Sequence, residues 1–228
     1  GTKMYILGYS SDRVHQYTLS TAFDLSTASY DSVSFSVAGE NTLPYGIAFN
    51  NDGTKMYMVG TNRSETVYQY SLSTGFDIST ASYDSVSFSV SGQEGIVTTV
   101  VFNSDGTKMY IVGYSSDTVY QYSLSTAFDL STVSYDSVSF SVASQDVNPI
   151  NIIFNNDGTK MYMVGITSDS VYEYSTATPA TITYDSALQW SGGTAPTSPA
   201  IGETDVLTFN TTDGGTTYQA VVAIDGAS

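Results

Sequence analysis

Cysteine is absent from this chain of 228 residues, which excludes a disulfide framework and any thiolate metal site. Histidine occurs once, so the sequence holds neither a histidine pair for acid–base work nor the nitrogen ligands of an ordinary zinc site. Lys and Arg together number 6 against 22 Asp and Glu, a formal charge of −16. The imbalance comes from missing bases, and it excludes phosphate-rich partners: no basic stripe exists to neutralise a nucleic acid or an anionic membrane surface. No apolar run approaches the ~18 residues that a membrane-crossing helix needs. The chain opens on Gly rather than Met with no signal peptide before it, and is read as a processed or partial chain. What it has in quantity is Ser and Thr, more than a quarter of the residues, and 19 Tyr. That polar, β-prone composition predicts a surface or extracellular protein.

Self-comparison decides the fold class. Gly-Thr-Lys-Met-Tyr starts at Gly1, Gly53, Gly106 and Gly158, a period of 52 to 53 residues. Val-Tyr-Gln-Tyr at Val67 returns at Val119, becomes Val-Tyr-Glu-Tyr at Val171 and Val-His-Gln-Tyr at Val14. Phe-Asp-Leu/Ile-Ser-Thr recurs at Phe23, Phe76 and Phe128, and Tyr-Asp-Ser-Val-Ser-Phe-Ser-Val at Tyr30, Tyr83 and Tyr135. Each unit divides into four strands, typified by Gly46–Asn50, Lys55–Gly60, Val67–Leu72 and Ser85–Val90. The first two are joined by a tight Asn51-Asp52-Gly53 turn in which Gly supplies the positive φ. Tyr68, Tyr70 and Leu72 share one face by the two-residue period, and Val86, Phe88 and Val90 face in while serines face out. No segment sustains a period of ~3.6, so helix is nearly absent. Four strands per unit at this spacing predict an all-β chain of β-propeller-like blade repeats.

The run Phe49-Asn-Asn-Asp-Gly-Thr-Lys-Met-Tyr-Met-Val-Gly60 resembles the first hairpin of YVTN-type propeller repeats of bacterial surface proteins, over residues 1–176. The strand count gives three and a half blades, with Ile182–Trp190 offered as the fourth strand of the last. The propeller is therefore expected over residues 1–190 and a β-hairpin tail over 191–228. In that tail Val206–Tyr218 parallels the Ile47–Tyr57 hairpin and is a candidate degenerate fifth repeat closing the ring. The same region, from Tyr184-Asp-Ser through Trp190-Ser-Gly-Gly-Thr-Ala-Pro196 to Asp213-Gly-Gly-Thr-Thr-Tyr218, resembles the C-terminal module of tailed-phage fibre and structural proteins. Open blade edges leave three outcomes: further blades upstream, closure by Val206–Asn210 beside Lys3–Gly8, or pairing between copies, the last being favoured.

Few residues carry chemistry. His15 stands in a column filled by Tyr68, Tyr120 and Tyr172 and is read as a drifted strand residue. Asp52, Asp105 and Asp157 are the candidate metal ligands, in Asn-x-Asp-Gly turns. Such turns are too short to give calcium its six to eight oxygens, so turn chemistry is the favoured reading and no cofactor is expected. Asp24, Asp77 and Asp129 are expected to cap local turns, and Asp31, Asp84, Asp136 and Asp185 to be structural, because all recur in every repeat. The candidate ligand face is the set of variable loops before the innermost strands: Glu40, Asn41, Tyr45, Gln93, Glu94, Gln145, Asp146 and Asn148. Exposed Tyr9, Tyr45 and Tyr114 are candidates for stacking on a glycan. A catalytic carboxylate pair needs acids in unlike environments and should break the repeat symmetry once. The functional expectation is a non-enzymatic structural or recognition propeller, a virion fibre or surface protein binding a glycan or a host-surface receptor. The alternative is a carbohydrate-active propeller enzyme, a hydrolase or lyase with acids at the channel mouth.

Overall fold

The computed structural model describes residues 1–62, 65–176, 188–190, 204–210 and 218–227. They form two compact units, Gly1–Tyr174 and Ser175–Ser228. The first consists of four antiparallel sheets in sequence order. Blade I contains β1 (Lys3–Gly8), β2 (Arg13–Leu19) and β3 (Ala28–Ser36). Blade II contains β4 (Pro44–Phe49), β5 (Lys55–Gly60), β6 (Thr66–Leu72) and β7 (Ala81–Ser89). Blade III contains β8 (Val97–Phe102), β9 (Lys108–Gly113), β10 (Thr118–Leu124) and β11 (Val133–Ser141). Blade IV contains β12 (Pro149–Phe154), β13 (Lys160–Gly165) and β14 (Val171–Ser175). The only helical residues among those described are one-turn 3-10 segments between the last two strands of blades I to III.

Hydrophobic burial is organised between blades. Along β5, Met56 and Met58 face blade I, where they meet Val14, Val37 and Leu7, while Tyr57 and Val59 face blade III and meet Val100, Met109 and Ile111. The two-residue period thus sends alternate side chains to opposite neighbours, which is why this strand has no solvent face. β9 repeats the pattern, with Met109 and Ile111 toward blade II and Tyr110 and Val112 toward blade IV. The first strands of the blades are innermost and run side by side: a Cβ on Gly46 would stand 2.7 Å from the Thr98 carbonyl, and Thr99 Oγ1 is 3.0 Å from Asn151 Oδ1.

Polar latches add to the apolar contacts. Gln69, 3% exposed, donates from Nε2 to Asp84 at 2.8 Å, and its Oε1 accepts the Leu130 amide of the next blade at 2.8 Å. Gln16 does the same with Asp31 and the Ile78 amide, at 2.8 and 2.9 Å. Lys3, Lys55 and Lys108 pair with Asp31, Asp84 and Asp136 at 2.8, 3.1 and 2.7 Å. Tyr5 and Tyr57 hydroxyls donate to the carbonyls of Phe76 and Phe128, again one blade on.

The fourth strand starts earlier than its alternation predicts, at Ala81 rather than Ser85. Register slips between Gln69↔Val86 and Tyr70↔Tyr83, so Asp84 and Ser85 form a bulge, with Ser85 at φ 59°. The bulge turns Asp84 inward to Lys55 and Gln69, and it interrupts the period-two signal at that point. Asp24, Asp77 and Asp129 accept the amides of Ser26, Ser79 and Ser131 at 3.0 Å, capping the 3-10 turns as expected.

In the second unit β15 (Leu188–Trp190) pairs parallel to β17 (Tyr218–Ala227), which pairs antiparallel to β16 (Thr204–Asn210). The hairpin expected of the tail is β16–β17. Within this unit the strand order is β15-β17-β16, and the Val206–Asn210 segment takes β17 as its partner. Most of the residues carrying the fibre resemblance, and Asp185, lie outside the described residues.

Candidate functional site

Two sets of loops meet at one end of the blades: those leading from an outer strand to the next inner strand, and those joining the second and third strands. The amides of Val37, Val90 and Val142 donate to the carbonyls of Asp12, Glu65 and Asp117 at 2.9, 2.8 and 2.9 Å, fastening one set to the other. These carbonyls can face the amides because Asp12, Glu65 and Asp117 adopt positive φ of 52°, 38° and 52°, a conformation that Asp tolerates better than most residues.

The expected ligand-face residues separate into three groups. Glu40, Gln93 and Gln145 accept the hydroxyls of Tyr70, Tyr122 and Tyr174 at 3.2, 3.2 and 3.3 Å, a repeated packing contact. Asn41, Glu94 and Asp146 are buried and organise the loops. Asn41 Oδ1 accepts the Leu43 amide at 2.8 Å. Glu94 takes the amides of Ile96 and Ser115 at 2.9 and 3.0 Å and the hydroxyl of Ser116 at 2.5 Å. Asp146 takes the Asn148 amide at 2.7 Å and the amide and hydroxyl of Ser168 at 2.7 and 2.6 Å. Asn148 Nδ2 is held by Thr167 Oγ1 at 2.7 Å. Tyr45 alone of the eight is an exposed aromatic. Its ring centroid lies 5.3 Å edge-on from that of Tyr9, and its hydroxyl is 3.4 Å from that of Tyr114.

Asp117 is an acid that sequence reasoning does not single out. Its Oδ1 is buried with no hydrogen-bond partner. Burial, and then the negative charges of Glu94 and Asp146, hold its carboxyl above the ordinary value. Asp146 moves the other way: burial pushes it up, but the donors on Ser168, Asn148 and Thr167 outweigh that and hold it below. The chain thus sets two neighbouring carboxyls apart in acidity, the arrangement that gives acids unlike roles. It breaks the repeat symmetry as well. Asp12 occupies the equivalent place in blade I and also has a partnerless Oδ1, but the neighbouring capping position holds the neutral Asn41. The signal available in sequence is the Ser-Ser-Asp and Thr-Ser-Asp column ending at Asp12, Asp117 and Asp169.

The other candidates resolve locally. Asp52, Asp105 and Asp157 each turn Oδ1 to the amide of the Thr two residues on, at 3.0, 2.9 and 3.0 Å, and each is held below the ordinary carboxylate value first by that threonine's hydroxyl. Among the described residues no group of three His, Asp or Glu is disposed to hold a metal ion. His15 lies opposite Ser34 in β3, its ring centroid 5.9 Å from that of Tyr30, much as Tyr68 lies 6.1 Å from Tyr83.

Comparison with known proteins gives no match to a family profile and none to a curated protein. Solved structures do match. A candidate 6-phosphogluconolactonase from Bacteroides uniformis aligns with a TM-score of 0.53 at 12% identity, over 77% of this chain and 50% of its own. A second from Bacteroides fragilis gives 0.52 at 14%, over 77% and 51%. The periplasmic gluconolactonase of Pseudomonas aeruginosa gives 0.51 at 16%, over 77% and 47%. The chain therefore spans about half the length of the structures it matches. At these identities the likeness establishes a β-propeller-type fold. It also corrects the expectation of a non-enzymatic fibre or surface protein: the matched structures named here are sugar-lactone enzymes or candidates for that activity, and nothing in them points to a fibre.

Proposed function

We propose that this chain is part of a carbohydrate-active β-propeller hydrolase acting on a sugar lactone, with Asp117 as its proton-carrying group. The observation that carries this reading is the raised, partnerless carboxyl of Asp117 between two anionic neighbours on the loop face. The structural likeness to lactonases supports it. In such a reaction water adds to the lactone carbonyl carbon and the acyl–oxygen bond breaks. The departing ring oxygen takes the proton of Asp117, and the proton released by the attacking water restores the acid. A carboxyl held above the ordinary value performs that donation better than an ordinary Asp. Glu94 and Asp146 act as positioning residues, since their oxygens are engaged by loop donors, and their charge adds to burial in holding the Asp117 carboxyl above its ordinary value.

The test is hydrolysis of glucono-δ-lactone in a pH-stat above the uncatalysed rate. Asp117→Asn should lower kcat by about 100-fold or more with the fold intact by circular dichroism. Hydrolysis at the wild-type rate in that variant, or no catalysis by the unmodified protein, refutes the proposal.

A further inference from the structure

Tyr9, Tyr45 and Tyr114 come from three different blades and meet on the face that carries Asp117. Tyr9 directly follows β1, Tyr45 is the second residue of the innermost strand β4, and Tyr114 directly follows β9. The corresponding positions elsewhere hold Thr61 and Ile166, or Thr98 and Ile150, so nothing in the blade plan requires an aromatic there. A ring that only packs a blade recurs with the blade, as Tyr57 and Tyr110 do. Tyr9 and Tyr114 share one column, in the Gly-Tyr-Ser-Ser-Asp segments of blades I and III, Tyr45 has no aromatic counterpart in the other blades, and Tyr9 and Tyr45 leave 47% and 37% of their surface in solvent. From this we infer that the three tyrosines form a stacking platform for an uncharged sugar ring, beside the acid that would act on it.

Three observations select that ligand. The Tyr45 and Tyr114 hydroxyls approach end to end at 3.4 Å, and Tyr9 sets its ring edge-on to Tyr45 at 5.3 Å. The rings therefore extend in a row with hydroxyls between them, suited to the C–H face and peripheral hydroxyls of a pyranose. A cage closing around a cation would need rings turned toward a common centre. Next, Tyr114 and Asp117 belong to the same four-residue connection between β9 and β10, which places the platform and the acid within one loop. Finally, the charges discriminate. Glu94 and Asp146 make this end negative, whereas Lys3, Lys55, Lys108 and Lys160 start β1, β5, β9 and β13, at the opposite end, and are paired with Asp31, Asp84, Asp136 and Glu173. Arg13 is engaged by Ser34 at 2.9 Å. It is the one cation described at this end, and Glu94 and Asp146 outnumber it. The ligand class thus differs from that of the phosphogluconolactonase-type structures in carrying no anionic group.

This inference rests on the hydrolase reading only for the identity of the reaction; binding is separable from it. The experiment is saturation-transfer NMR and calorimetric titration with two probes that are not turned over, methyl β-glucoside and glucose 6-phosphate. Binding of the glucoside should weaken at least about tenfold in Tyr45→Ala and Tyr9→Ala and persist in Asp117→Asn, with glucose 6-phosphate bound at least about tenfold more weakly than the glucoside. Tyr45→Phe, which keeps the ring, should retain most of the affinity and guards against a folding artefact in the alanine variants. Equal binding in Tyr45→Ala, a preference for the phosphorylated probe, or choline binding in place of the glucoside overturns the platform. Loss of hydrolysis in Asp117→Asn with no effect of the tyrosine variants on binding would leave the hydrolase reading standing and refute this one.

Discussion

Replacing Gln69 with Ala tests whether the blades are held by their buried amide latches as much as by apolar contact. The side chain is 3% exposed, donates to the Asp84 carboxylate at 2.8 Å and accepts the Leu130 amide at 2.8 Å. Alanine leaves that amide buried without a partner, which costs about 1–3 kcal/mol, and removes a bond to a charged group worth about 1.5–3 kcal/mol. Asp84 keeps Lys55 and Ser71 at 3.1 and 2.9 Å, so the second contribution belongs near its lower limit. The expected loss is about 3 kcal/mol, or a fall in Tm of about 6–12 °C for a domain of this size. Gln16→Ala, with the same two contacts in blade I, should cost the same within about 1 kcal/mol. Gln69→Glu keeps the shape and puts a carboxylate against Asp84. Its folded pKa is therefore raised, so the penalty is present at neutral pH and shrinks as pH falls through that value. Urea unfolding at pH 7 and pH 4.5 measures all three. A cost below about 1 kcal/mol for Gln69→Ala, or a Gln69→Glu penalty that does not change with pH, would refute the latch.

Gly106→Val should cost at least about 2 kcal/mol in urea unfolding, because Gly106 sits at φ +73° and a Cβ there meets the Phe128 ring at 2.3 Å; an unchanged midpoint would show that the turn relaxes freely. His15→Tyr should be neutral within about 0.5 kcal/mol by the same assay, since the sister blades place Tyr in that column beside the same partner ring. A loss of several kcal/mol would mean His15 has a role of its own. For acid stability, the Lys3 ammonium, with Gln16 and Thr18, lowers Asp31 to about 2. Its folded pKa lies below the unfolded one, so the contribution is complete above about pH 4 and is lost as pH falls toward 2. Asp31→Asn should flatten that part of the stability curve, and an unaltered acid limb would contradict the assignment.

How far the sequence carries depends on the kind of signal each feature leaves. The repeat at Gly1, Gly53, Gly106 and Gly158 reports blade number and strand order directly, because equivalent blades need equivalent strands. Lys55–Gly60 is placed to the residue, since a strand buried on both faces reads as an unbroken apolar run. The opening of β7, Ala81–Asp84, escapes the pattern because the bulge at Asp84 and Ser85 breaks the alternation that marks a strand. Left-handed Phe23, Phe76 and Phe128 are equally hidden: a φ of 61°, 62° and 59° in phenylalanine is set by packing over the neighbouring turn, which no local preference announces. At the site, Tyr9, Tyr45 and Tyr114 each stand out as residues, but they are far apart in the chain and only the blade geometry brings them together.

Asp117 shows why a repeat conceals a site. Recurrence of the Asp column at Asp12, Asp117 and Asp169 argues for a blade requirement, and part of that column's role is such: the carbonyls of Asp12 and Asp117 receive the Val37 and Val142 amides in the same way. The chemistry lies in what surrounds an otherwise equivalent residue. Next to Asp12 the capping position is Asn41, whose amide cannot be ionised; around Asp117 the caps are Glu94 and Asp146, whose charges oppose a third. The equivalent cap is thus exchanged, Asn41 for Asp146, and on the proposed reading that exchange, with Glu94 beside it, turns a structural acid toward proton donation. The same logic applies to Tyr45 against Thr98 and Ile150. In a molecule built from copies, repeated geometry with altered neighbours is where function can be added at least cost to the fold, and both departures lie on the same loop face.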